Sequence, residues 1–197
     1  MFEVFTTILV INGKAWWLNE HLSRLERHAR LAGFKIPPTA PPFQKKVLKP
    51  HLLRISINEN GYEIKTRELN LPSPKAYTQG VKVYISDQIA TSQLKTNRRE
   101  AYDLAYQQAQ KNSAFEGLLC NQEGYLVDGS RTSLLVQKDN TLTILEGGIE
   151  GITRQQICLA AQELGFEIKR AYLKPNEIQG QLLLAGTGVG LLRVFQS

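Results

Sequence analysis

The sequence predicts an α+β fold made of two small domains, and three features support this. Two Asn-Gly pairs, Asn12-Gly13 and Asn60-Gly61, each lie between strand-like segments, and this pair favours tight hairpin turns. Prolines at positions 72 and 74 predict an extended linker, because proline fixes φ and cannot join a central ladder. Beyond residue 80 strand-like and helix-like apolar patterns alternate, which predicts a second mixed domain.

The first domain is predicted over residues 1–70. Its helix begins after Asn19, a residue type that caps helices, and ends at Gly33, which tolerates the left-handed backbone of a helix end. The predicted elements are, in order, strands over 1–10 and 14–18, a helix over 20–31, a short helix over 43–48, and hairpin strands over 52–57 and 62–69.

Residues 71–79 are predicted as the linker and residues 80–197 as the larger second domain. Asp139-Asn140 separates two alternating runs and predicts a further hairpin, whereas Gly165 ends the last long helical pattern. The predicted elements are strands over 81–86, 117–121, 125–127, 133–137, 141–145, 166–173 and 181–185, and helices over 98–111, 153–164 and 176–178.

Composition limits the class of protein. The 197 residues are 42% apolar, enough for folded cores, and no apolar run approaches the ~20 residues that cross a bilayer. The N-terminus lacks a signal-peptide pattern, so a cytoplasmic location without a membrane partner is expected. The net charge of +6 comes from scattered residues, which favours an anionic small molecule over nucleic acid. The two cysteines show no metal-ligand spacing, and no metal site is predicted.

One lysine, one carboxylate and one helix start carry the predicted chemistry. The amine of Lys95 can form a Schiff base with an aldehyde, and Asp128 can pair with a protonated ring nitrogen. Gly151 opens a helix whose N-terminal amides can take a phosphate. A phosphorylated pyridine aldehyde needs all three functions, so the predicted cofactor is pyridoxal 5'-phosphate.

Six motifs spread through the chain resemble those of the fold-type IV pyridoxal-phosphate enzymes, the class IV aminotransferases. The resemblance implies two α+β domains with the cofactor in the cleft between them, and a homodimer. The motifs are Phe5-Thr6-Thr7-Ile8, Glu20-His21-Leu22-Ser23-Arg24-Leu25, Leu94-Lys95-Thr96-Asn97-Arg98-Arg99, Asp128-Gly129-Ser130-Arg131-Thr132-Ser133, Gly151-Ile152-Thr153-Arg154 and Gly186-Thr187-Gly188-Val189-Gly190.

The resemblance also implies individual roles. Lys95 would bind the cofactor covalently and move protons, and Asp128 would stand where the family has glutamate against the pyridine nitrogen. Ser133 stands where the family usually has asparagine. The residues implied in phosphate binding are Arg24, Gly151, Ile152, Thr153 and Thr187, and those that could meet substrate carboxylates are Arg98, Arg99 and Arg131.

Three activities are compatible with these motifs. The segments around Lys95 and Asp128 are most similar to the 4-amino-4-deoxychorismate lyase branch, which implies formation of 4-aminobenzoate and pyruvate for folate biosynthesis. The segments at Gly151 and Gly186 are more similar to the aminotransferase branch, so a branched-chain or D-amino-acid aminotransferase is the first alternative. A non-catalytic relative that binds the cofactor or another anion is the second.

Overall fold

The computed structural model describes residues 1–38 and 49–195, and tertiary contacts divide the chain into two compact units. Unit 1 comprises Met1–Leu71 together with Leu94–Arg98, and unit 2 comprises Pro72–Gln93 together with Arg99–Ser197. The short segment that carries Lys95 therefore belongs, by its contacts, to the N-terminal unit. The predicted helix over 43–48 lies outside the described residues.

Unit 1 is an antiparallel sheet covered by one helix. Asn12 and Gly13 both have positive φ, at 51° and 72°, as a tight hairpin of this kind requires. Helix α1 packs its apolar residues on the sheet, and the buried core includes Leu25, Ile8 and Ile55. The elements are β1 Val4–Ile11, β2 Lys14–Ala15, α1 Leu18–Leu31, β3 His51–Asn58 and β4 Gly61–Glu68, with strand order β2-β1-β3-β4.

The start of α1 differs from the sequence prediction. The return strand of the first hairpin is only two residues long, and the helix begins at Leu18. Trp17 occupies the N-cap position in a left-handed conformation, with φ of 53° and no side-chain cap. Asn19 lies inside the helix and is not its cap, because the chain reverses direction at Trp17.

Unit 2 contains two sheets. One has five strands in the order β10-β9-β8-β11-β12, and the other has three in the order β5-β6-β7. The elements are α2 Pro74–Gln79, β5 Val83–Ile89, α3 Glu100–Lys111, β6 Glu116–Cys120, β7 Leu126–Gly129, β8 Ser133–Lys138, β9 Thr141–Leu145, α4 Ile152–Glu163, β10 Glu167–Ala171, a 3-10 turn Pro175–Glu177, β11 Gln181–Gly186 and β12 Gly190–Arg193.

Two elements of unit 2 depart from the prediction. Residues 74–79 form helix α2, where an extended linker was expected, because Pro74 occupies the first helical position, where proline needs no N–H acceptor. Strand β12 was not predicted; it pairs with β11 through a turn in which Gly190 has φ of 69°. The other long helices and the hairpin at Asp139 are confirmed.

Candidate active site

Helix α1 places polar side chains where a helix normally buries apolar ones. Its buried residues recur at i, i+3, i+4, i+7 and i+8, the spacing of a core-facing stripe. Three of them are polar or charged, and burial of such groups is costly unless each is paired. The buried residues are His21, Arg24, Leu25, His28 and Ala29.

Thr6 links two residues of this stripe. The Thr6 hydroxyl lies 2.7 Å from His21 Nδ1 and accepts a hydrogen bond of 2.8 Å from the Arg24 guanidinium. Burial first, and then the charges of Arg24 and Lys95, lower the pKa of His21 to about 3, so its imidazole is neutral. Among the described residues, His21 Nε2 is buried with no hydrogen-bond partner. Unit 1 therefore buries a fixed guanidinium beside an unused polar atom.

The segment carrying Lys95 adds to the start of β1. The Lys95 N–H donates to His28 Nδ1 at 3.0 Å, and the Lys95 carbonyl accepts from the Phe5 N–H at 2.9 Å. Thr96 forms an isolated antiparallel bridge with Val4. The Lys95 ammonium lies 5.1 Å from the centre of the Phe5 ring, and the residue is half-buried. The backbone is thus held on both sides of the predicted catalytic lysine.

A second cation, which the sequence analysis missed, meets the same ring. The Arg54 guanidinium lies 3.4 Å from the centre of the Phe5 ring and forms an ion pair of 2.5 Å with Glu3. Burial raises the pKa of Glu3, but hydrogen bonds from Ser56 and Arg54 and the charge of Arg54 bring it below its ordinary value. Lys95 and Arg54 therefore both contact one aromatic ring, an arrangement that no local motif indicates.

Asp128 is presented from strand β7 in unit 2. It is almost fully buried, and its Oδ2 atom accepts the Ile149 N–H at 2.8 Å. Gly148 allows this approach, since a Cβ there would lie 2.9 Å from Oδ2 and overlap the Val127 carbonyl. Burial and the Asp128 carboxylate together raise the pKa of Tyr102, which places that phenol close by. The carboxylate is held in place by backbone geometry.

The start of α4 carries several of the predicted phosphate residues. Gly151 is the N-cap and has no side-chain cap, so the first amides of the helix, including those of Ile152 and Thr153, lack intrahelical acceptors. The hydroxyls of Thr153 and Thr187 lie 3.3 Å apart at this end. A Cβ on Gly151 would overlap the Ser133 hydroxyl. Free amides and clustered hydroxyls at a helix N-terminus fit a phosphate group.

The turn between Asp128 and Ser133 is organised by a buried acid that the sequence analysis also missed. Glu116 is fully buried on β6 and accepts hydrogen bonds from the Ser130 hydroxyl and from the Arg131 N–H. Burial raises the pKa of Glu116, although these hydrogen bonds and the Arg131 charge oppose the shift. Its signal in the sequence is one acid at the start of an otherwise apolar strand.

The three arginines predicted to meet substrate carboxylates contact their own surroundings. Arg99 donates to the Ser130 carbonyl at 2.5 Å, and Arg131 donates to the Phe115 carbonyl at 3.0 Å. Arg98 is exposed and lies 4.5 Å from the centre of the Phe2 ring. Their role in substrate binding stays a prediction.

Each unit therefore brings together part of the predicted set. In unit 1, Arg24 and Lys95 are both close enough to His21 to lower its pKa. In unit 2, Ser133 lies against Gly151, and Thr153 lies beside Thr187.

Residues 1–38 and 49–195 contain neither of two other kinds of feature. No group of three or more histidine, cysteine or acidic side chains there could hold a metal ion. Over the same ranges, no helix has both the length and the apolar character to span a membrane.

Known proteins resemble the chain throughout. The model of the family described as amino-transferase class IV matches residues 3–196. A relative from Rickettsia bellii (strain RML369-C), provisionally named a branched-chain-amino-acid aminotransferase, is 29% identical over 96% of this chain and 75% of its own length. A crystal structure provisionally named 4-amino-4-deoxychorismate lyase is 37% identical, with a TM-score of 0.90 over 99% of this chain and 84% of that one.

A further solved structure bears on the fold and the cofactor. A branched-chain amino acid aminotransferase from T.th., crystallised with pyridoxamine 5'-phosphate, has a TM-score of 0.83 at 21% identity, over 98% of this chain and 75% of that one. Together with the family match, it confirms the α+β, fold-type IV prediction.

Proposed function

The chain belongs to the class IV aminotransferase family of pyridoxal 5'-phosphate enzymes, and we propose that within it the protein is a 4-amino-4-deoxychorismate lyase. The observation that carries the proposal is 37% identity over 99% of the chain to a structure provisionally given that name. The motifs around Lys95 and Asp128 support the same branch.

The residues of the two units divide the work of holding the cofactor. Arg24 in unit 1, and Ile152, Thr153 and Thr187 in unit 2, would bind its phosphate by charge and by hydrogen bonds. Asp128, held by the Ile149 amide, would keep the ring nitrogen protonated. When bound, the cofactor supplies an electron sink for the carbon that bears the substrate amine.

Lys95 would hold the cofactor covalently and then act as the base. Released by the substrate amine, its amino group takes the proton from the ring carbon that carries this amine. The electron pair left behind aromatises the ring as the C–O bond to the enolpyruvyl group breaks, giving 4-aminobenzoate. The departing enolpyruvate gains a proton and becomes pyruvate, so no amino acceptor is consumed.

Arg54 is suited to meet one of the two substrate carboxylates. It contacts the same Phe5 ring as Lys95, and a planar guanidinium binds carboxylate in a bidentate manner. Glu3 already pairs with it, so substrate would exchange for or share that contact.

The relative from Rickettsia bellii favours a second candidate, a branched-chain aminotransferase; the D-amino-acid enzyme is the related option. Either would return the amino group to a keto acid in a second half-reaction, with ping-pong kinetics.

Product analysis tests the proposal directly. Purified protein with pyridoxal phosphate and 4-amino-4-deoxychorismate should release 4-aminobenzoate and pyruvate in equal amounts without added keto acid, and Lys95→Ala should release neither. Amino transfer between amino acids and keto acids, without 4-aminobenzoate, would favour the aminotransferase instead. A role in folate biosynthesis, a homodimer and a cytoplasmic location remain predictions attached to this function.

A further inference from the structure

We propose that His28 is a positioning residue that sets the backbone of Lys95 through its Nδ1 atom. The inference rests on the proposed function only in taking Lys95 as the residue that binds the cofactor. His28 is nearly fully buried on the core-facing stripe of α1, where an apolar side chain would need no partner.

The hydrogen bond defines the state of His28. Nδ1 accepts the Lys95 N–H at 3.0 Å, so Nδ1 carries no proton and a neutral ring carries its proton on Nε2. The bond joins residues 67 positions apart, and it ties the lysine segment to α1. The opposite side of the same residue is tied to β1 through the Phe5 N–H.

This double attachment matters because Lys95 has a long, flexible side chain. A rotation of its backbone would sweep the ammonium through a much larger arc than the backbone itself moves. A displacement of about 1 Å at a reacting group can cost about 100-fold in rate. The neighbouring contacts of Thr96 with Val4 and of Asn97 with Glu3 hold the chain that follows, whereas His28 holds the N–H of Lys95 itself.

Two substitutions separate the hydrogen bond from packing. In His28→Asn the amide oxygen can replace Nδ1 as the acceptor, because both atoms lie at the same number of bonds from the backbone. In His28→Leu the packing volume remains but the acceptor is lost. His51→Leu is the matched control, since the Nδ1 atom of His51 contacts the Lys49 carbonyl at 2.9 Å and is not involved with Lys95.

The first measurement needs no cofactor. Amide hydrogen exchange of the full-length protein, read at Lys95, should be about tenfold or more faster in His28→Leu, the order expected for loss of one hydrogen bond at a partly buried amide. Exchange in His28→Asn and His51→Leu should match the wild type. Thermal unfolding of each variant identifies any loss that is only global.

The second measurement follows loading with pyridoxal phosphate. Borohydride trapping at timed intervals, with mass spectrometry to locate the adduct, should show slower labelling of Lys95 in His28→Leu by about tenfold, and near wild-type labelling in His28→Asn. Without an adduct at Lys95 in the wild type, the proposed function fails, while the exchange result still judges His28. The inference is overturned if His28→Leu and His28→Asn behave alike in both measurements, whether both match the wild type or both fall equally.

Discussion

The contact between Gly151 and Ser133 yields the sharpest test of how the start of α4 is built. In Gly151→Ala the new Cβ would stand 3.1 Å from Ser133 Cβ and closer still to Ser133 Oγ, well inside the 3.0 Å that real Cβ atoms essentially never cross. The backbone is not the obstacle, because φ of −81° and ψ of 121° suit alanine. The cost must therefore come from this overlap.

Overpacking of this kind costs roughly 1–3 kcal/mol. For a protein of this size about 1 kcal/mol corresponds to roughly 2–4 °C in Tm, so the variant should melt about 2–12 °C lower without cofactor. Its affinity for pyridoxal phosphate should also fall, because either the amides at the helix start or the Ser133 hydroxyl must move. Differential scanning fluorimetry and an absorbance titration measure the two effects.

A double-mutant cycle isolates the cause. Ser133→Gly removes both atoms that the new methyl group would strike, so Gly151→Ala should cost much less in that background than in the wild type. Equal costs in both backgrounds would show that the overlap is not responsible. An unchanged Tm and affinity in Gly151→Ala alone would refute the packing argument outright.

Three further outcomes are expected. Lys95→Arg keeps the charge but cannot form the covalent link, so it should lose the borohydride-trapped adduct while its Tm stays near that of the wild type; trapping at another lysine would contradict the assignment. Arg24→Gln removes a charge-assisted contact of about 1.5–3 kcal/mol, which predicts roughly 10- to 150-fold weaker binding of pyridoxal phosphate but unchanged binding of pyridoxal; an equal loss for both ligands would argue against phosphate contact. Exposed histidine binds a proton near pH 6.5 and His21 near pH 3. The unfolded state therefore holds more protons between these values, so stability should fall as the pH drops below 6.5, by up to about 1.4 kcal/mol per unit. His21→Asn should reduce that slope in urea denaturation, and an identical slope would count against a buried neutral imidazole.

Local chemistry explains which elements could be predicted. The hairpin at Asn12-Gly13 follows from two residues that tolerate positive φ, and the helix after Gly151 follows from its own apolar period and the glycine at its start. Trp17 escaped prediction because a tryptophan rarely adopts the left-handed conformation that starts α1 here.

The sequence by itself determined the fold class, most of the strands and helices, and a family resemblance strong enough to single out Lys95 and the cofactor, because those depend on neighbouring residues and short motifs. Only the tertiary structure decided that His28 holds the Lys95 amide, that Thr6 joins His21 to Arg24, and that Glu116 supports the turn after Asp128. Such contacts join residues from 14 to 67 positions apart. They form because a buried polar group must find a partner, and which partner is near depends on the packing of the whole unit.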